Sequence, residues 1–404
     1  MRRMQKFTLM TVAVLAVAGA AQAQISNDVV RVGVLADQTG PYSGNGGPGQ
    51  VLAAQMAVED FGGKVNGKTV EVISADDQNK PDVGTNIARQ WIERENVDTI
   101  IGGSTSAIAL SVSGMMKQHN KPYLISGTTS ADLTGKSCSP MNMQFLLDTY
   151  AMPKATVQSL LAQGIKSFYF ITVDYAFGAA LQSEAVKFIE AGGGKVLGSV
   201  KHPLGTTDFS SYLLQAQASK AQAVVLLSAG SDLTNALKQA NEYRLSQRGQ
   251  VVTTTGATFN AVAAMGLDVA QGLQFNTPYY WDRDEDSRAW AKRFMERNKG
   301  VPPTYIMAGT YSAVLHYLKG VQAAGTDEGK AVVAKMKEMP INDFQMKGVT
   351  IREDGQVMRP VYTVQVKKPS ESKSKNDIYI IKGELAPDQV YRPLAENTCD
   401  FLQK

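Results

Sequence analysis

Short apolar, β-branched runs alternate with amphipathic stretches along this chain, and the alternation is played through twice, which leaves few folds open. In the first series residues 29–35 are followed by 51–61, 69–74 by 81–93, and 99–101 by 108–118, with 122–125 as a last strand. Asn66-Gly67 marks a turn before the second of these strands. A second series begins near Thr149, with 167–172, 195–200, 223–228 and 250–254 reading as strands and 178–191, 209–219 and 232–242 as helices. Each series predicts βαβ units around a parallel sheet, so the chain predicts one α/β architecture built twice.

Beyond Gly272 the pattern changes. Residues 273–275, a helix over 286–298 and a long apolar-faced helix over 305–324 bring no strands to build a third sheet, so they are expected to return and cover the first domain. Residues 351–366, with Asp354-Gly355 as a turn, predict strands that rejoin the second domain, and 368–375 reads as a charged loop. The expected organisation is a first lobe of 24–148 plus 277–345, a second lobe of 149–276 plus 346–367, and a C-terminal extension of 368–404. Such a chain crosses between lobes three times, which suits a hinge that opens and closes.

Residues 1–23 read as a cleavable signal peptide: Arg2, Arg3 and Lys6, then an apolar run over 9–18, then Ala21-Gln22-Ala23. The apolar run is shorter than the ~20 residues that span a bilayer. The working protein is therefore expected to begin at Gln24 and to reside in the periplasm, with no Cys near the cleavage point to carry a lipid. The signal holds three of the 41 basic residues, leaving 38 against 37 acids, so the remainder carries a net charge of about +1. That balance argues against nucleic acid or an anionic surface as the partner.

Two cysteines, Cys138 and Cys399, make an even pair in an oxidising compartment, which predicts a disulfide tying the C-terminal tail to the body. His119, His202 and His316 lie far apart with no His or Cys at ligand spacing, so neither a metal nor a cofactor is expected. Residues 44–49 formally match G-x-G-x-x-G, yet they begin about nine residues after the first strand ends and include Pro48. They read better as a flexible loop that lines a cleft, with Tyr42 as its large side chain.

Gly102-Gly103-Ser104-Thr105-Ser106-Ala107 follows the third strand and opens a helix, and Ser126-Gly127-Thr128-Thr129-Ser130 follows the fourth. Hydroxyls and glycines at strand carboxyl ends beside helix N-termini form an anion cradle. Any one of them also suits ordinary helix capping. Two such clusters on consecutive loops point to a ligand carboxylate.

The segments 31–42, 103–110, 122–130, Asp174-Tyr175-Ala176-Phe177-Gly178 and Thr207-Asp208-Phe209-Ser210 together resemble the periplasmic substrate-binding proteins of ABC importers, in the leucine/isoleucine/valine-binding family. The resemblance runs through nearly the whole chain after residue 23. It implies the type I periplasmic binding protein fold, two Rossmann-like lobes joined by three crossover strands, and a monomer that closes on a small molecule and delivers it to an inner-membrane permease. Carried over by position, it places the ligand carboxylate on Thr105, Ser106, Thr128 and Ser130, an aromatic closure on Tyr175, and a further contact loop at Ser228.

One departure stands out. Thr254-Thr255-Gly256-Ala257-Thr258 lies where amino-acid binders of the family carry an acid for the ligand ammonium, and here Thr255 and Thr258 offer only hydroxyls. A buried ammonium without a charge partner loses several kcal/mol. The expected ligand is therefore a carboxylate that needs no amine; residues 135–140 and 279–282 resemble a branch of the family implied to take up aromatic and other hydrophobic acids, and Tyr42, Tyr175, Phe259 and Tyr279 are candidate flat surfaces. An acid from elsewhere, Asp174 or Asp232, would restore the amino-acid reading. The hydroxyl loops lack a nearby His, Lys or Cys base, which argues against an enzyme. Presenting a ligand to a chemosensory receptor is the alternative to import.

Overall fold

The computed structural model describes residues 25–402, so the signal segment lies outside the described residues. Two parallel sheets form the centres of two lobes. The first has six strands in the order Lys64–Val65, Lys68–Asp76, Val29–Ala36, Thr99–Gly102, Tyr123–Ile125, Asn142–Gln144, all parallel except the edge hairpin. The second has four, in the order Val251–Thr254, Ala223–Leu227, Ser167–Val173, Lys195–His202, all parallel. The β-branched inner strands are buried almost throughout, as a sheet covered on both faces requires.

Each sheet has an apolar core on either face. Trp91, Ile100 and Ile108 belong to one core of the first lobe, and Val34, Met143, Phe294 and Tyr317 to the other. The helices Glu285–Arg297 and Tyr305–Ala324 pack beside the first sheet, and Arg293 and Arg297 pair with Asp60 and Glu59 on the helix Gly47–Phe61. Of the segment 44–49, expected as a loop, residues 47–49 instead open the helix Gly47–Phe61, and Gly49 serves this packing: a Cβ there would sit 2.5 Å from the Met307 side chain.

The expectation of no further sheet is corrected. Gln274–Thr277, Val361–Val366 and Tyr379–Leu385 form a separate three-stranded antiparallel sheet in the second lobe, where Thr253 Oγ1 donates to the Gln274 carbonyl. The last strand exposes most of its residues, so its sequence carries little apolar alternation. Part of the segment expected with the second lobe also packs elsewhere: Met346, Val349, Ile351 and Val357 lie in the first lobe's core, and the chain enters the second with Met358 and Val361.

Core membership changes hands at three places: between Phe145 and Leu147, between Tyr279 and Tyr280, and between Val357 and Val361. These crossovers are bound to one another. Gln356 Nε2 donates to the carbonyls of Gln144 and Leu146, at 3.3 and 3.2 Å. Arg359, 1% exposed, donates to the carbonyls of Phe145 (3.4 Å) and Pro278 (2.7 Å) and to Gln345 Oε1 (2.7 Å). One guanidinium thus links the third crossover to both others. Its burial pulls its pKa down from the ordinary arginine value.

Candidate ligand-binding cleft

The carboxyl ends of the strands in both sheets face each other, and the loops that follow them enclose a cavity of about 50 Å³. The first lobe contributes Tyr42, Asn45, Ser104, Ser106, Thr128 and Thr129. Opposite them stand Tyr175, Phe177, Ser228, Gly230, Leu233 and Thr258. Met152, Tyr305 and Ile306 add apolar wall.

The cleft is bridged. Tyr42 Oη and Tyr175 Oη lie 2.9 Å apart across it, Asn260 Nδ2 donates to the Gly44 carbonyl at 2.9 Å, and Thr258 Oγ1 donates to Asn45 Oδ1 at 3.3 Å. Gly230, at φ +58, makes the approach of Tyr42 possible, since a Cβ there would lie 2.5 Å from the ring. Burial pushes both phenols up, so both stay protonated at neutral pH. One O–H is used between them and the other remains to donate.

Electrostatically the cavity is defined by backbone. The helices Ser106–Gln118, Gly230–Glu242 and Tyr305–Ala324 begin at lining residues, and Ala176–Ala191 begins between two of them, Tyr175 and Phe177. Their N-termini direct partial positive charge at one space, each worth about 0.3–1 kcal/mol to an anion. Two of these ends carry Tyr175 and Ala229 at the cap position and have no side-chain cap, which leaves N–H groups of their first turns free of one. No Asp, Glu, Lys, Arg or His is among the lining residues. Ser228 Oγ, on a residue only 3% exposed, lines the cavity without a hydrogen-bond partner among the described residues.

Of the residues singled out in the sequence, Tyr42, Ser106, Thr128, Tyr175, Ser228 and Thr258 come together at the cavity. Thr105, Ser130 and Thr255 do not line it. Thr105 Oγ1 caps its helix by accepting from Ile108 N, Ser130 precedes the short turn Ala131–Leu133, and Thr255 Oγ1 is buried without a hydrogen-bond partner among the described residues. Phe259 and Tyr279 are also absent from the wall: Phe259 packs edge-on to Tyr379, and Tyr279 packs edge-on to Phe344.

Neither alternative acid reaches the lining. Asp174 is solvent-exposed and pairs with Lys201 at 2.9 Å. Asp232 is buried, accepts from Gly205 N at 2.9 Å, and stands 4.0 Å from His202. Burial raises its pKa. Ser104 was not singled out as a contact. Its Oγ and N–H are both held by buried Asp77, at 2.6 and 3.1 Å, so towards the cavity the hydroxyl offers only lone pairs. Phe177 and Tyr305 were also missed; each lies at the start of a helix, where an aromatic reads as core.

The disulfide expected from the cysteine pair is present between Cys138 and Cys399.

Residues 29–374 match the family model for periplasmic binding proteins. A periplasmic binding protein from Burkholderia mallei is 41% identical and superimposes with a TM-score of 0.89 over 92% of this chain and 98% of its own. A branched-chain amino acid ABC transporter periplasmic ligand-binding protein from Burkholderia xenovorans is 38% identical, with a TM-score of 0.83 over 92% and 99%. Leu/Ile/Val-binding protein homolog 6 of Brucella melitensis is 26% identical over 342 residues, 82% of this chain and 85% of its own. With two parallel-sheet lobes, three crossovers and a cleft at the strand carboxyl ends, the chain belongs to the periplasmic binding proteins of ABC transporters, in their leucine/isoleucine/valine-binding family.

Proposed function

We propose that this protein is a periplasmic receptor for a small hydrophobic carboxylate that needs no α-ammonium, and that it hands this ligand to an inner-membrane ABC permease. The observation that carries the reading is the cavity wall itself: helix N-termini and hydroxyls converge there, and no charged side chain of either sign among the described residues lines it. A carboxylate is served by N–H groups and hydroxyls. An ammonium meets no carboxylate. Tyr42, Met152, Phe177, Tyr305 and Ile306 supply apolar surface for a ring or a branched chain.

In this reading Ser106, Thr128 and the helix end at Ser106 hold the carboxylate, and Tyr175 and Ser228 close over it from the second lobe. The lobes divide at the three changes of core membership, with residues 1–23 removed on export. A thermal-shift screen of the protein, freed of ligand by unfolding and refolding, tests the reading. Aromatic and branched aliphatic carboxylates are expected to raise Tm, because a ligand that binds only the folded form stabilises it by mass action. A rise with α-amino acids and none with carboxylates would overturn it.

A further inference from the structure

The C-terminal segment does more than extend the second lobe. Its strand Tyr379–Leu385 pairs with Val361–Val366 of that lobe. Val390 and Tyr391 are then buried in the core that holds Leu147 and Val361, the residues that follow two of the crossovers. Arg392 lies over the Tyr150 ring at 4.8 Å and reaches Glu184 at 3.4 Å, both on the second-lobe side.

Attachments to the first-lobe side begin at the Arg392 carbonyl, which accepts from Arg352 Nη1 at 2.7 Å, and continue a few residues later. Asn397 Nδ2 donates to the Thr134 carbonyl (3.1 Å) and to Asp354 Oδ2 (2.8 Å), and Cys399 is covalently joined to Cys138. Thr134 and Cys138 lie between the first-lobe strands Tyr123–Ile125 and Asn142–Gln144. Asp354 belongs to the turn whose Gly355 carbonyl accepts from Gln144 N. The chain between Arg392 and Asn397 spans at most about 18 Å at full stretch, and part of it is coiled in the short turn Leu394–Glu396, so the separation of the two anchorages has an upper bound.

We propose that residues 387–399 are a fourth link across the hinge, pinned to the first lobe by the disulfide, which limits how far the cleft opens. The three crossovers alone permit a rotation that carries Thr134 and Cys138 away from Tyr391. The pinned segment resists that rotation, because either the buried Tyr391 or the covalent bridge must give way. A tail anchored only on the second lobe would leave the rotation free.

The test compares ligand-free protein with its bridge intact, the variant Cys138→Ser/Cys399→Ser, and the unmodified chain treated with tris(2-carboxyethyl)phosphine, which gives up two electrons, becomes the phosphine oxide with water, and leaves two thiols. Alkylation followed by mass spectrometry confirms the thiols. Small-angle scattering is expected to show a larger radius of gyration without the bridge, and hydrogen exchange about tenfold faster at the crossovers around Leu147 and Arg359. A second variant, Tyr391→Ala with the bridge kept, loosens the other anchor and is expected to move both readouts the same way. Unchanged radius and exchange in folded, bridge-free protein would overturn the proposal. Loss of helix content in both bridge-free forms would assign the bridge to overall stability and would overturn it equally.

Discussion

The cleft and the hinge both lie where the two lobes meet, yet they are built from opposite materials. Among the described residues the cleft is lined by hydroxyls, aromatic rings and helix ends without side-chain caps, and by no charged side chain. The hinge is centred on a buried guanidinium that ties three crossovers together. One strand shows the same division along its own length. Just before Thr99–Gly102, Asp98 is buried with Lys121 at 3.8 Å, while the carboxyl end of the strand opens into the uncharged loop that carries Ser104 and Ser106. Fixed charge serves the parts that must keep their geometry. The space that selects a ligand is left to dipoles, which favour an anion without demanding a fixed counter-charge.

The largest effect is expected at the hinge. Arg359→Met would leave the carbonyls of Phe145 and Pro278 without their donor, at a cost of about 3–5 kcal/mol in urea unfolding. A loss under 1 kcal/mol would mean that the crossovers do not depend on this residue.

Asp98 tests the buried charge at the foot of the strand. Burial raises its pKa to about 6, against 3.8 when solvated. Between those values the folded state binds more protons, so stability from this group is present below pH 4 and is lost as pH rises to about 6. At pH 7 the loss is about 3 kcal/mol on an order-of-magnitude scale. Asp98→Asn is expected to recover much of it at pH 7 and nothing at pH 4, read from denaturation midpoints at both values. Equal effects at the two pH values would contradict a titrating cause.

At the cleft, Tyr175→Ala removes a buried ring and one side of the phenol pair. Affinity for a carboxylate found by the thermal screen is expected to fall by about 1–3 kcal/mol. Calorimetry that showed no change would return Tyr175 to packing. A smaller shift, about tenfold or ~1.4 kcal/mol, is expected from Ser228→Asp, which places an acid in the wall and should move preference towards amines. Unaltered selectivity would show that Ser228 does not face the ligand.

The inner strands Val29–Ala36, Thr99–Gly102, Ser167–Val173 and Ala223–Leu227 are legible in the sequence because their apolar runs are buried, and the helix Tyr305–Ala324 through its continuous apolar stripe, whereas the short strand Asn142–Gln144, with an amide side chain at either end, carries no such pattern and lies beyond the strand 122–125 expected as the last. The strand Tyr379–Leu385 escaped notice because an edge strand with exposed side chains has no such pattern. At the cleft, hydroxyl-rich loops were visible, but not which hydroxyl of each faces inward. Thr105 turns back to cap its helix while Ser106, one residue on, lines the cavity. Phe177 and Tyr305 were hidden for the reverse reason, since aromatics at a helix start resemble core until two lobes are brought together. The cysteine pair was readable from count and compartment. That its tail is anchored on both lobes required the fold.

The central claim is that a cleft without a fixed charge prefers an acid to the corresponding amino acid. Isothermal calorimetry on ligand-stripped protein tests it with matched pairs, 3-phenylpropanoate against phenylalanine and 4-methylpentanoate against leucine. The deaminated member of at least one pair is predicted to bind about tenfold tighter or more, because ~1.4 kcal/mol per decade is small beside a buried ammonium without a partner. Tight binding of leucine or phenylalanine with no measurable heat from its deaminated twin would contradict the account, and would require a carboxylate, with Asp232 the nearest in sequence to the lining residue Leu233, to reach the ligand after all.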